Sequence, residues 1–305
     1  MNHSTRRDFL KSATGLATIV LAGTSFKYTK NKPLLSFSTL GCPDWTFRDI
    51  VNFAAKNNYD GIELRGIQRQ LNLTKCTEFS NPQNINDTLR LMEQKGLHFA
   101  DLGSSAALHL SDIVERQKNL DEAKRFIDLA QLLHCPYIRV FPNNLPKGQD
   151  RNATIDFIIQ GLLELGNYAK GSEVTVLMES HGDLIQTADL EKIMHSAEHT
   201  QVGLVWDIVN MWSVTKEPPI QVYAKLKKYI RHTHIKDAKM IDGKDQYTLI
   251  GRGETPIFEA IDLLYKGGYK GYYSFEWEKL WHPEIPEPEI ALADFVKTMK
   301  EHFNK

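Results

Sequence analysis

Short apolar runs that each stop on one polar residue recur through the second half of this chain. Val174-Thr-Val-Leu-Met-Glu179, Val202-Gly-Leu-Val-Trp-Asp207, Ile230-Arg-His-Thr-His234 and Tyr272-Tyr-Ser-Phe-Glu276 read as short buried strands. Glu179 lies 28 residues before Asp207, Asp207 lies 27 before His234, and His234 lies 42 before Glu276. That is the spacing of strand–helix units in a parallel barrel. The first half alternates in the same way. Strands are expected at Leu34–Leu40, Tyr59–Leu64, Leu97–Leu102 and Tyr137–Phe141, with helices at Asp44–Asn57, Ile85–Lys95, Asn119–Leu133 and Ala153–Ala169. Later helices are expected at Ala188–His199, Ile220–Lys228 and Pro256–Lys266, with a closing helix at Glu289–His302. Arg65–Pro82 is polar and longer than a usual connection, hence a candidate lid. Eight units without a Pro/Ser-rich linker predict a single (β/α)8 TIM barrel of the α/β class over residues 31–305.

In such a barrel the C-terminal ends of successive strands converge on one face. Glu179, Asp207, His234 and Glu276 would then meet around one point. Three clustered carboxylates repel one another, and a divalent cation resolves the repulsion. For any one of the four, solvating the barrel rim is an equal competitor. Four consecutive strands each ending on a ligand type are harder to explain that way. Oxygen-rich ligation with one imidazole suits Mn, Mg or Co, with Zn also accommodated, and leaves coordination positions open for substrate oxygens.

Composition narrows the partners. The 305 residues are 42% hydrophobic and 25% charged, with a net charge of −1, which gives no support for a nucleic-acid surface. Cys42, Cys76 and Cys135 stand at unrelated spacings that fit neither a disulfide framework nor a CxxC site, so idle buried thiols are expected. The N-terminus reads as an address. Ser4-Thr-Arg6-Arg7-Asp-Phe9-Leu10-Lys11 precedes a weakly apolar run, Ala13–Ala22, in the manner of a twin-arginine export signal. The run is too short to span a membrane, and no lipid-accepting cysteine follows it. Residues 1–30 are therefore expected to be a signal peptide. The mature periplasmic protein would begin between Ser25 and Lys32, without a membrane anchor.

Several segments resemble the xylose-isomerase-like TIM-barrel family of sugar isomerases and epimerases, which includes tagatose 3-epimerase-type enzymes. They are Tyr59-Asp-Gly-Ile-Glu-Leu-Arg65, Met178-Glu-Ser-His181, Trp206-Asp207, His232-Thr-His-Ile-Lys-Asp237 and Ser274-Phe-Glu-Trp-Glu-Lys-Leu-Trp-His-Pro283. The resemblance implies one divalent metal ion held by Glu179, Asp207, His234 and Glu276. It also implies that Glu179 and Glu276 act as the acid/base pair. A base on one face of the substrate and an acid on the other invert a centre next to a carbonyl through an enediolate. Many relatives carry a histidine three residues after the strand-6 aspartate, where this chain has Asn210. That histidine holds substrate in epimerases and a second metal in the endonuclease IV branch, so Asn210 counts against a three-zinc nuclease.

Further candidate substrate contacts are His181, Lys236, Glu63, Arg139, Trp281 and His282, together with Asn210. Each has a plainer alternative. Lys236 would pair with Asp237, Glu63 would bridge Arg65, Arg139 would serve barrel-core pairing, and Trp277 and Trp281 would pack on the rim. The expected function is a metal-dependent isomerase or epimerase acting on a small carbohydrate. A lyase that β-eliminates from 3-keto-glycosides is the enzymatic alternative, and a sugar-binding barrel without turnover is the second. The sequence is compatible with a homo-oligomer.

Overall fold

The expected alternation is realised as a closed eight-stranded parallel barrel in the computed structural model, which describes residues 32–304. The proposed leader lies outside the described residues. The barrel strands are β1 (Leu34–Ser38), β2 (Gly61–Leu64), β3 (His98–Ala107), β4 (Tyr137–Phe141), β5 (Thr175–Glu179), β6 (Val202–Asp207), β7 (Ile230–Ile235) and β10 (Tyr272–Phe275). They close in the order β1-β10-β7-β6-β5-β4-β3-β2, with Leu34 to Phe37 of β1 registered against Tyr272 to Phe275 of β10. The strands read as unbroken apolar runs because both of their faces are covered, as β2 and β6, buried at every position, illustrate.

The surrounding helices are α1 (Phe47–Lys56), α2 (Pro82–Gln94), α3 (Ile113–Leu132), α4 (Arg151–Tyr168), α5 (Thr187–Ser196), α6 (Ile208–Thr215), α7 (Pro219–Leu226), α8 (Ile257–Lys266) and α9 (Pro288–Phe303). Their starts follow from capping side chains. Thr46, Asn81, Asp112 and Asp150 each accept a backbone N–H of the first turn, and Pro82 occupies the first turn of α2. α9 seals the junction of first and last strands. Phe295 stacks on Phe275 at 4.7 Å, and the Tyr59 hydroxyl donates to the Leu292 carbonyl at 2.7 Å. Phe295 is fully buried, so truncating it to Ala would cost about 3–5 kcal/mol.

Three elements differ from expectation. α3 begins at Ile113, six residues earlier than the apolar spacing suggests, because the Asp112 side chain caps it. Residues 65–82 are no free lid. Two 3-10 turns fold there, and Leu73, Cys76 and Phe79 are buried. An antiparallel hairpin, β8 (Asp237–Ile241) and β9 (Lys244–Thr248), rises directly beyond β7. Its turn residues Asp242 and Gly243 both have positive φ, as a two-residue hairpin loop requires.

All three cysteines are free and buried; burial pushes the thiols of Cys42 and Cys135 well up and that of Cys76 to about 12, so they are unreactive. Among the described residues, no helix is long and apolar enough to cross a membrane.

Candidate metal centre

Four neighbouring strands deliver their last residues to one point. Glu179 ends β5, Asp207 ends β6 beside His234 of β7, and Glu276 follows β10 with its N–H on the Ile235 carbonyl at 3.0 Å. His234 Nδ1 lies 3.3 Å from Glu179 Oε1, 3.2 Å from Glu276 Oε1 and 3.8 Å from Asp207 Oδ2. One ligand atom from each residue falls within 4.8 Å of the others, and all four residues are buried.

Two buried cations share these acids. Arg139 Nε, from β4, is 3.0 Å from Glu179 Oε2, and the guanidinium lies over the Phe141 ring while Nη1 donates to the Ser104 carbonyl. Lys236 Nζ is 2.8 Å from Asp207 Oδ2, 2.6 Å from Glu276 Oε2 and 2.6 Å from Glu278 Oε1. Burial pushes the Lys236 ammonium down, but Asp207, Glu276 and Glu278 together hold it well above its usual range. Glu276 is destabilised by burial yet held well below the ordinary carboxylate range by His234 and Lys236. Glu179 is lowered against its burial by His234 and Arg139. Glu179 and Glu276 are therefore ionised, beside a His234 imidazole that burial pushes down but Glu276, Glu63 and Glu179 together hold well above its usual range.

Besides Arg139 and Lys236, the positive charge facing Glu179, Asp207 and Glu276 is that of the His234 imidazole, through Nδ1. A divalent cation taking the place of the proton at Nδ1 would put two positive charges among these buried acids. Three carboxylate oxygens and one imidazole nitrogen are also a donor set that such an ion accepts. The residues present fit the group.

Beneath this cluster Glu63 accepts from the Ser274 hydroxyl at 2.8 Å, with His232 Nε2 at 2.9 Å and His234 Nε2 at 3.3 Å. Glu63 therefore neither bridges Arg65, which donates to the Ser105 hydroxyl, nor reaches out to a substrate. It is fully committed inside the barrel. Lys236 likewise does not pair with Asp237, whose carboxylate accepts backbone N–H groups of Ala238, Gly251, Gly253 and Thr255 at the foot of the hairpin.

The remaining candidates lie at varying distance from the centre. Asn210, in the first turn of α6, gives its backbone N–H to Asp207 Oδ1 at 2.9 Å and its side-chain amide to the Ser180 carbonyl. The Asp207 side chain thus caps α6 with one oxygen and faces the centre with the other. His181 is half-buried with its ring against Phe141, centroids 4.6 Å apart. His282 bonds Glu284 at 3.2 Å and meets the Tyr247 ring edge-on, while Trp281 is 53% exposed and packs on no rim. Trp277 is fully buried against Phe275 and is unavailable to a ligand.

Sequence reasoning missed Glu278, His232, Asp101 and Tyr247. The first two stand two residues from a named ligand, on the same face of an extended strand, and that alternation was the available signal. Tyr247 comes from the hairpin and sits with its ring centroid 5.5 Å from Lys236 Nζ.

A parallel barrel with three acids and a histidine gathered at its C-terminal strand ends is a TIM barrel with a set of residues that could hold a metal ion where such barrels carry their active sites. The chain belongs to the xylose isomerase-like TIM barrel family, whose sequence profile matches residues 51–299. It is 24% identical over 233 residues to 3-dehydroshikimate dehydratase of Bacillus anthracis, covering 71% of this chain and 78% of that protein. It is 23% identical over 299 residues to inosose dehydratase of Clostridium beijerinckii, covering 85% and 95%. The fold matches 3-keto-D-glucoside 4-epimerase from E. coli at a TM-score of 0.69 and 15% identity, covering 88% of this chain and all of that one. It also matches a magnesium-bound xylose isomerase-like barrel from Mycobacterium smegmatis (TM-score 0.67, 17% identity, 89% and 96% covered). A zinc-bound barrel, the IOLI protein, matches at 0.74 and 16% identity over 88% and 97%. The relatives are thus dehydratases and epimerases, and solved ones hold magnesium or zinc.

Proposed function

We propose that this protein is a metal-dependent carbohydrate enzyme that removes a proton next to a carbonyl and works through an enediolate. Glu179, Asp207, His234 and Glu276 would hold one divalent cation, which when bound would polarise the carbonyl and its neighbouring hydroxyl. The observation that carries the reading is the pairing of the two glutamates. Each faces His234 Nδ1, at 3.3 and 3.2 Å, and each has its own buried cation, Arg139 at 3.0 Å and Lys236 at 2.6 Å. One carboxylate takes the proton from carbon and the other returns it from the opposite side, which gives isomerisation or epimerisation. The Lys236 ammonium supplies positive charge beside the developing enediolate oxygen. His181, Asn210, Trp281 and His282 are the side chains available to hold the rest of a sugar. A sugar-binding barrel without turnover would leave Glu179 or Glu276 turned away from the centre, and neither is.

The second reading keeps the same base and loses a leaving group from the next carbon. It is supported by curated relatives that are dehydratases, and extends to β-elimination from 3-keto-glycosides. In either case we propose a free, oxidised or glycosidically linked sugar, and not a sugar phosphate, as the substrate. The leader with Arg6 and Arg7 would place the mature protein in the periplasm, where sugar phosphates are scarce, and no Gly-rich phosphate cradle stands in the sequence.

The metal-loaded protein, incubated in deuterated water with a panel of keto-sugars, should wash deuterium into the carbon next to the carbonyl. Glu179→Gln and Glu276→Gln should each lower turnover by at least the ~10²–10⁴-fold typical of a lost general base, measured at saturating metal. Loss of exchange in one variant only, with release of water or aglycone by the wild type, selects the elimination reading. Near-normal turnover in both variants rules out the two-glutamate mechanism.

A further inference from the structure

The two nitrogens of His234 face different things. Nδ1 faces Glu179, Asp207 and Glu276, whereas Nε2 faces Glu63 Oε2 at 3.3 Å across the barrel interior. A neutral imidazole carries one proton, and the nitrogen without it is the one that can ligate a metal. An N–H at Nε2 serves Glu63 and leaves the Nδ1 lone pair for the cation. The opposite tautomer would present a proton to the cation and a lone pair to a carboxylate. Resting on the metal-centre reading above, we infer that Glu63 is a positioning residue that fixes His234 in its Nε2–H tautomer. Its carboxylate is itself fixed by the Ser274 hydroxyl at 2.8 Å and by His232 Nε2 at 2.9 Å. Glu63, His232, His234 and Ser274 are all at most 1% exposed, so water does not compete for these bonds.

Glu63, His232 and His234 would also pass as ligands of a second cation, since one atom of each lies within 4.8 Å of the others. The distances argue for direct hydrogen bonds. Contacts of 2.9 Å and 2.8 Å to one carboxylate oxygen are ordinary donor–acceptor lengths. Two ligands each about 2.1 Å from a shared cation at tetrahedral angles stand roughly 3.4 Å apart. That is close to the 3.3 Å between His234 Nε2 and Glu63 Oε2. It is therefore the two shorter contacts that mark Glu63 Oε2 as a hydrogen-bond acceptor.

The test uses the full chain, stripped with chelator and reloaded. Cation stoichiometry and Kd are measured by titration with Mn²⁺ and Zn²⁺, and the ligating nitrogen is read by NMR on ¹⁵N-histidine protein loaded with ¹¹³Cd²⁺. One cation per chain is expected, with cadmium coupled to Nδ1 of His234 and a protected proton on its Nε2. Glu63→Leu, which removes the acceptor, should weaken Kd toward the upper end of the ~10–100-fold range typical of such partners. Glu63→Gln keeps an acceptor oxygen and should lie nearer the lower end. Coupling to Nε2, a second cation lost in Glu63→Gln, or a Glu63→Gln Kd indistinguishable from wild type would overturn the inference. A wild-type chain that binds no cation would overturn the metal-centre reading with it. Should Glu63→Leu fail to fold, the wild-type spectrum and Glu63→Gln decide the matter.

Discussion

Replacing Lys236 by Met separates the charge balance of the site from its chemistry without a known substrate. Lys236 is 1% exposed and touches three carboxylates, at 2.8, 2.6 and 2.6 Å. Removing it takes one positive charge away from Asp207, Glu276 and Glu278, leaving Arg139 and the His234 imidazole as the cations beside these acids. Breaking a buried ion pair from one side costs about 3–5 kcal/mol. For a barrel of this size that lowers the melting temperature of the metal-free protein by on the order of 10 °C. Divalent cation should then act in the opposite direction. In the wild type it must share Asp207 and Glu276 with the ammonium, and in Lys236→Met it need not. We expect the variant to bind cation at least ~10-fold more tightly, which is about 1.4 kcal/mol of extra stabilisation at equal saturating concentration. The assay is calorimetric or fluorimetric melting of chelator-treated protein across a cation titration, with circular dichroism to check the fold. The charge argument fails if metal-free wild type and variant melt together, or if cation raises the variant's melting temperature no more than the wild type's. Turnover should fall by the ~10²–10³-fold typical of a lost oxyanion partner even at saturating metal.

Two further outcomes test other parts of the molecule. Asp101 in β3 is fully buried with neither carboxylate oxygen hydrogen-bonded, and burial holds its pKa at about 6, against a partial offset from His232. Its folded value is above the unfolded one near 4, so the stability given by its neutral form is complete below about pH 4 and lost as pH rises through 6. Asp101→Asn should therefore melt higher than the wild type at pH 7.5, by up to about 3 kcal/mol, and alike at pH 4; equal melting at both would refute the assignment. Arg6→Lys with Arg7→Lys should strand the precursor in the cytoplasm, read by fractionation, because the arginine pair is what the export receptor reads. Unchanged periplasmic accumulation would sink the export proposal.

The barrel was legible because each of its strands is covered on both sides, so sequence hydrophobicity and strand identity coincide. The helices were legible from the same cause, one apolar face against the sheet. Boundaries followed local chemistry that periodicity does not weigh, as where the Asp112 cap starts α3 before its apolar face begins. The hairpin was a different miss, since Ile241-Asp-Gly-Lys244 carried its signal openly. A two-residue Asp-Gly turn between alternating residues should have been read as two strands.

At the site, what one strand end presents can be read along the chain, and that is how Glu179, Asp207, His234 and Glu276 were found. What the next barrel position places opposite it cannot be read so, because pairing depends on depth and register. Glu63 was taken for a substrate contact or a partner of Arg65 because it lies near the end of β2. Its carboxylate instead turns into the barrel, to two histidines 169 and 171 residues away in β7. Lys236 stands next to Asp237 in sequence, but neighbours on a strand point to opposite faces. It therefore met the acids of β6 and β10, while Asp237 turned outward to tie down the backbone after β9. The Glu-Trp-Glu and His-Thr-His alternations state the same rule and were usable. Residues two apart on these strands share a face, so His234 and Glu276 each carry a second candidate two positions away. His232 and Glu278 are those candidates, and they are the residues that hold Glu63 and Lys236 in place.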